Sequence, residues 1–181
     1  WLTSVDISKV MKQYENRYSN FNFIGPSPID YDALDEDNER VWDELYNFSI
    51  DKQIKKGIKK IGIIFNTDTH NKPGAHWISL FINLETGEMN FFDSVGDKAP
   101  KNVIKFCNMV KKQAKNSLYE LPEFVFDEGH PNAHQQKNTE CGIYSLYFLI
   151  SMLHNVDFKK FVKKIKNDEF MEKYRKIFYL E

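Results

Sequence analysis

The chain has 181 residues, 41% hydrophobic and 15% aromatic, which is enough for one cored domain and excludes a wholly disordered chain. Its 25 Lys and Arg stand against 26 Asp and Glu, and a net charge of -1 gives no global reason to expect a nucleic-acid partner. Two cysteines, Cys107 and Cys141, cannot knit the dense disulfide framework of a small secreted scaffold, and no apolar run approaches the ~20 residues that span a bilayer.

The charges that cancel globally are locally segregated. Asp30 to Glu44 carries eight acidic residues against one arginine, and lysine runs follow at 52–60, 98–115 and 159–166. Such runs read first as solvated helix faces.

Ile7, Val10, Met11 and Tyr14 recur at helical spacing, with Ser4 or Asp6 as the cap. Gly25-Pro26-Ser27-Pro28 predicts a turn or irregular loop, and Val41, Trp42 and Leu45 a second helix. Ile61 to Phe65 is a short apolar strand. His76 to Leu84 is apolar on nearly both sides, the mark of a central strand, and Thr86-Gly87 turns it into a partner at Met89 to Asp93. Pro100 opens a helix through Val103, Phe106 and Val110. Leu121 to Phe126 reads as another strand. A polar stretch from Asp127 to Glu140 then runs directly into an apolar helix, Gly142 to Leu153, and two lysine-rich amphipathic helices finish the chain. Helices before and after the strands, without a βαβ rhythm, predict an α+β domain over 1–181 with no repeat or linker.

Cys141 stands where the polar loop meets the first turn of the apolar helix. Unpaired backbone N–H groups and the positive end of the helix dipole favour a thiolate there. Cys107, inside an amphipathic pattern beside Phe106, reads as structural. A cysteine nucleophile needs a base that titrates near neutrality. Of five histidines only His76 begins a rigid apolar strand, and Asp93 ends the strand paired to it, 93 minus 76 or 17 residues on. A carboxylate at an apolar strand end is costly unless paired, and beside a histidine it would fix the tautomer. His130 and His134 read as loop or substrate-rim residues, His70 and His154 as structural or surface ones. No paired cysteines or close histidine cluster suggests a metal, and no cofactor is required.

Gly74-Ala75-His76-Trp77, Phe91-Phe92-Asp93-Ser94 and the run Gln135-Gln136-Lys137-Asn138-Thr139-Glu140-Cys141-Gly142 resemble, in order and spacing, the three signature blocks of the ubiquitin-like-protein-specific proteases, a superfamily that includes adenovirus-type endopeptidases. Trp1-Leu2 resembles the Trp-Leu that opens the same catalytic domain, although the usual Asn-Asp after it is here Thr3-Ser4. The resemblance implies a papain-like fold with a small, mostly antiparallel sheet flanked by helices. It implies Cys141 as nucleophile, His76 as general base and later acid, Asp93 as orienting group and Gln135 as oxyanion donor. Gln136 is the competing assignment, Gln135 being favoured because it lies six before the cysteine. Trp1 and Trp77 match tryptophans that enclose a narrow substrate tunnel for a Gly-Gly tail.

By the same resemblance the chain is a cysteine endopeptidase or isopeptidase cutting after a small-residue, Gly-Gly-type motif. Its substrate is a viral structural polyprotein or the C-terminus of a ubiquitin-like modifier, and the Asn138 to Leu146 stretch resembles the large-virus branch more. The expected location is cytoplasmic or nuclear, or host cytoplasm and virion for a viral enzyme. Two other readings stay open: an acetyltransferase with a similar His-acid-Cys site, which usually carries Glu rather than Asp, and a catalytically inactive binding module for ubiquitin-like proteins.

Overall fold

The computed structural model describes residues 1–179. The elements run α1 (Ser4–Arg17), β1 (Phe21–Pro28), α2 (Asp43–Tyr46), α3 (Ile50–Lys55), β2 (Lys60–Asn66), β3 (Trp77–Asn83), β4 (Glu88–Phe92), α4 (Lys101–Lys115), β5 (Val125–Glu128), α5 (Cys141–Leu153), α6 (Phe158–Lys163) and α7 (Asp168–Phe178). The five strands form one sheet in the order β1-β2-β3-β4-β5. Its centre is antiparallel, β2 with β3 and β3 with β4, and each edge strand is added in parallel. As its two apolar faces require, β3 is the middle strand.

Alternation along the strands builds two cores. Ile61, Ile63, Ile78, Leu80, Ile82 and Phe91 face α3 and α4. Ile64, Trp77, Phe81 and Phe92 face the opposite layer of α1, α5, α6 and α7. Helix α5 runs through that layer and is buried along its length save Tyr147. A helix hydrophobic nearly all round is an interior helix, and this one carries Cys141 at its first residue.

Four expectations need correction. The cap of α1 is Thr3, whose hydroxyl accepts from the Asp6 N–H while the Asp6 carboxylate accepts from the Thr3 N–H, a closed capping box. Gly25-Pro26-Ser27-Pro28 is not a loop. It belongs to β1, with a cis Gly25–Pro26 bond and a register shift between Ile24 and Ser27. Prolines are tolerated there because β1 is an edge strand. The second predicted helix is only four residues, α2, and α3 follows it after a Ser49 cap. Finally, β5 lies at Val125–Glu128 rather than at 121–126, because pairing with Glu88 begins only at Val125.

Candidate active site

Three chain segments converge where β3, β4 and α5 begin or end. Asn66, the last residue of β2, holds the first segment. Its Oδ1 accepts from the N–H groups of Asp68 (3.0 Å) and Ala75 (3.1 Å), and the Thr67 N–H donates to the His76 carbonyl at 2.9 Å. The loop must pass close to Asn66 at Gly74, whose φ is 95° and where a Cβ would stand 2.8 Å from the Asn66 amide nitrogen. His76 is thereby fixed one residue before β3. The second segment follows from register: Ser79 pairs with Phe92, so Asp93 sits one step beyond the ladder, on the same edge as His76.

The His76 Nε2 and Asp93 Oδ1 are 2.7 Å apart, and the Asp93 Oδ1 also accepts from the Val95 N–H at 3.0 Å. Asp93 is buried, so this pairing offsets a desolvation that would otherwise be costly. Burial draws the imidazole toward its neutral form. Hydrogen bonding to Asp93 and to Cys141, reinforced by their charges, outweighs burial and pushes the His76 pKa up to about 10. With Nε2 committed to the carboxylate, Nδ1 is the nitrogen left for the sulfur.

The third segment is the polar loop and α5. Cys141 is 2% exposed and heads the helix, where Glu140 provides no side-chain cap. Gly142 lets the N-terminal segment cross: a Cβ there would stand 3.0 Å from Leu2 Cβ. Leu2 in turn accepts, through its carbonyl, the Trp77 indole N–H at 3.0 Å. Trp77 is therefore largely a core side chain, while Trp1, the neighbour of Leu2 in sequence, is 57% exposed. Trp77 also borders a cavity of about 260 Å³ lined by Ser4, Pro26, Pro28, Trp42 and Gly74.

Gln135 is buried and Gln136 exposed. The Gln135 Oε1 accepts from the Ser94 hydroxyl at 2.7 Å, and one of its amide N–H groups donates to the Lys137 carbonyl. The Ser94 carbonyl receives the N–H groups of His134 and Gln135, both at 2.8 Å. The residue after Asp93 thus ties the polar loop to the His76–Asp93 pair. Ser94 was quoted in the second block, yet nothing in its type marked it for this task.

The remaining histidines lie where the sequence reading puts them, on the loop or in structural contacts, save that the loop residue His134 is buried. His134 is not on a rim. It is 1% exposed among Phe92, Tyr144 and Phe161, with its Nε2 3.0 Å from the Val162 carbonyl. His130 is on the loop, its Nδ1 2.7 Å from the Gly96 carbonyl. His70 pairs with Asp30 at 2.7 Å, and His154 meets the Tyr18 hydroxyl at 3.0 Å. Cys107 is buried in α4, and burial pushes its thiol up to about 12. Among the described residues no group of three or more His, Cys, Asp or Glu could hold a metal ion.

Residues 6–181 match the family model of the Ulp1 protease family, C-terminal catalytic domain. A protein of Acanthamoeba polyphaga mimivirus named as a thiol protease is 31% identical over 183 aligned residues, covering 99% of this chain and 56% of that protein. A cysteine protease of African swine fever virus is 28% identical, with 96% of this chain and 66% of that one covered. The chain thus spans between half and two thirds of the length of these relatives. Among solved structures, the ASFV pS273R protease matches with a TM-score of 0.78 at 24% identity, over 96% of this chain and 65% of the other. The yeast C-terminal Ulp1 protease domain in complex with Smt3 matches with a TM-score of 0.64 at 17% identity, over 98% and 74%. These two likenesses show a shared α+β fold, a central sheet flanked by helices.

Proposed function

This chain belongs to the Ulp1 protease family, C-terminal catalytic domain, and on that premise we propose that it is a thiol peptidase cutting after a small residue, with Gly-Gly as its motif. The observation that carries the proposal is the His76–Asp93 contact of 2.7 Å, made by an imidazole whose charged form Cys141, at the start of α5, also favours.

The chemistry follows from that geometry. An imidazole held charged to about pH 10 has a proton to give to the leaving amine at neutral pH, and the form of Cys141 that reacts is the thiolate. The thiolate attacks the carbonyl carbon of the scissile bond, and the π electrons move onto oxygen. The Cys141 N–H, an orphan donor of the helix's first turn, receives that oxyanion together with the second amide N–H of Gln135. Collapse of the adduct expels the amine, which takes the proton from His76 Nδ1. A water then gives its proton back to His76 and attacks the thioester, and collapse frees the acid and returns the sulfur as thiolate beside the reprotonated imidazole.

Gln135→Ala is expected to lower kcat by roughly 10²–10³ with KM little changed, and Gln136→Ala to leave kcat near the parent's. Steady-state kinetics on the two folded variants check the assignment. Collapse in Gln136→Ala alone would reverse it.

Specificity rests on exclusion. Trp77 is pinned by its indole N–H to the Leu2 carbonyl, and the next residue back, Trp1, is exposed. Flat rings on both sides of a substrate strand leave room for residues without side chains, and a Cβ forced against a fixed indole costs about 1–3 kcal/mol. Peptides of matched length with Gly before the scissile bond should therefore exceed those with Leu, Arg or Asp there by at least tenfold in kcat/KM. Equal cleavage of Leu and Gly peptides would end the tunnel reading. Varying the substrate is the sounder test, because Trp77→Ala would empty a core site at a cost of about 3–5 kcal/mol.

The kinship with proteins of mimivirus and African swine fever virus supports a viral structural polyprotein as the substrate, in the host cytoplasm or the virion. Processing of a ubiquitin-like modifier is the second reading, supported by the likeness to a domain solved with the yeast ortholog of SUMO. A polyprotein fragment and a Gly-Gly-terminated modifier, offered in competition, would separate the two.

A further inference from the structure

We propose that Asp168, acting with Tyr144, is a positioning residue for the oxyanion loop, so that the first turn of α7 controls the acyl-transfer step from outside the cleft. This rests on the peptidase reading above and on Gln135 as donor. Asp168 is 4% exposed, and a carboxylate so buried is costly unless every oxygen is engaged. Its Oδ2 accepts from the N–H groups of Gln136 (3.1 Å) and Lys137 (3.0 Å), the two residues that follow Gln135. Its Oδ1 is 3.1 Å from the Tyr144 hydroxyl. Burial and the charge of Asp168 push the Tyr144 phenol upward, so it stays a protonated donor.

Tyr144 is rooted in α5 one turn after Cys141, and its hydroxyl also lies 2.8 Å from the Lys166 carbonyl and 3.3 Å from that of His134. The carboxylate therefore bridges the helix that carries the sulfur and the loop that carries the amide donor. At the other end of α7, Arg175 reaches Glu140 Oε2 at 2.9 Å, beside Cys141 in the chain. Between these two anchors the loop has little freedom. One Gln135 N–H is already held by the Lys137 carbonyl, and the Lys137 N–H is held by Asp168. Moving the peptide at Lys137 moves the donor. The carboxylate itself sits in the first turn of α7, where the helix dipole favours negative charge.

A purely structural role and a positioning role differ in one measurable respect. Alkylation of Cys141 by iodoacetamide needs the thiolate alone, whereas peptide hydrolysis also needs the oxyanion donors. Asp168→Asn keeps the shape but turns an acceptor into a donor facing backbone N–H groups. It is expected to lower kcat on a Gly-Gly-X peptide about tenfold or more, with KM and the iodoacetamide rate within about twofold of the parent. Tyr144→Phe, which keeps the ring and its packing, should show the same split more weakly and covers the case in which Asp168→Asn does not fold. Adding Asp168→Asn to Gln135→Ala should cost little further, since both act through one donor.

Hydrolysis at the parent's rate in both variants, or equal losses of hydrolysis and alkylation, would overturn the positioning role. Failure of the underlying reading looks different: the parent chain would alkylate at Cys141 yet hydrolyse no peptide.

Discussion

Replacing Cys141 with alanine is expected to abolish peptide cleavage, by about 10⁶ in kcat if the sulfur is the nucleophile, while leaving the fold intact. The fold should survive because only one small buried atom is lost at the head of α5, worth about 1 kcal/mol of burial. A shift of Tm by a few degrees is the matching thermal signature. Labelling offers an independent readout. A neutral-pH alkylator followed by intact-mass and peptide mapping should find Cys141 modified and Cys107 untouched. The thiol of Cys107 is held by burial at about 12, leaving almost no thiolate, and its side chain faces the α4 core. Activity that survives Cys141→Ala, together with labelling at Cys107, would remove the thiol peptidase reading altogether. An inactive binding module would show the opposite pattern, with no cleavage by the parent and unchanged affinity in the variant.

What could be read from the sequence was what depends on periodicity and on short spacings. The two-faced apolar run at 77–83 marked β3 as central, and a hairpin through Thr86-Gly87 needs only local turn chemistry, so the convergence of His76 and Asp93 was legible. The junction of a polar loop and an apolar helix singled out Cys141 as a candidate, and its assignment as nucleophile rested on the family resemblance of the three blocks. Three features escaped for physical reasons. The Gly25-Pro26-Ser27-Pro28 segment carries every local signal of a turn, and only its place at the sheet edge, a tertiary fact, lets it pair with β2. His134 looked polar and loop-borne, yet a neutral ring with one carbonyl partner can be buried among aromatics, and burial lowers its pKa accordingly. Asp168 gave no sign at all. In sequence it is one more acid in the first turn of a helix, the place where acids are ordinary. Its importance comes from contacts with residues 136, 137 and 144, more than twenty positions away.

Asp93→Asn tests the electrostatics more finely than loss of His76, which should simply remove nearly all activity. Asparagine preserves the shape at the end of β4 and can still accept from His76 through its carbonyl oxygen, so positioning survives in part. The charge does not. The cost is expected to be roughly 10²–10⁴ in kcat, as for the orienting carboxylate of other triad enzymes. The pH dependence makes the prediction specific. In the parent, burial lowers the His76 pKa, and Asp93 with Cys141 raises it further than that, to about 10. Without the carboxylate charge, burial is opposed by the sulfur alone, and the imidazole should lose its proton at lower pH. The basic limb of kcat/KM should therefore move toward neutrality in the variant, and nitrogen chemical shifts of His76 should titrate earlier. Stability must follow with a fixed sign. A folded-state pKa above the unfolded ~6.5 contributes stability that is complete below pH ~6.5 and disappears as pH rises through about 10. The gap in Tm between parent and Asp93→Asn should be widest near pH 5–6.5 and close toward pH 10. Parallel Tm curves across that window, with an unmoved basic limb, would mean that Asp93 only shapes the strand end and that the charge on His76 has another source.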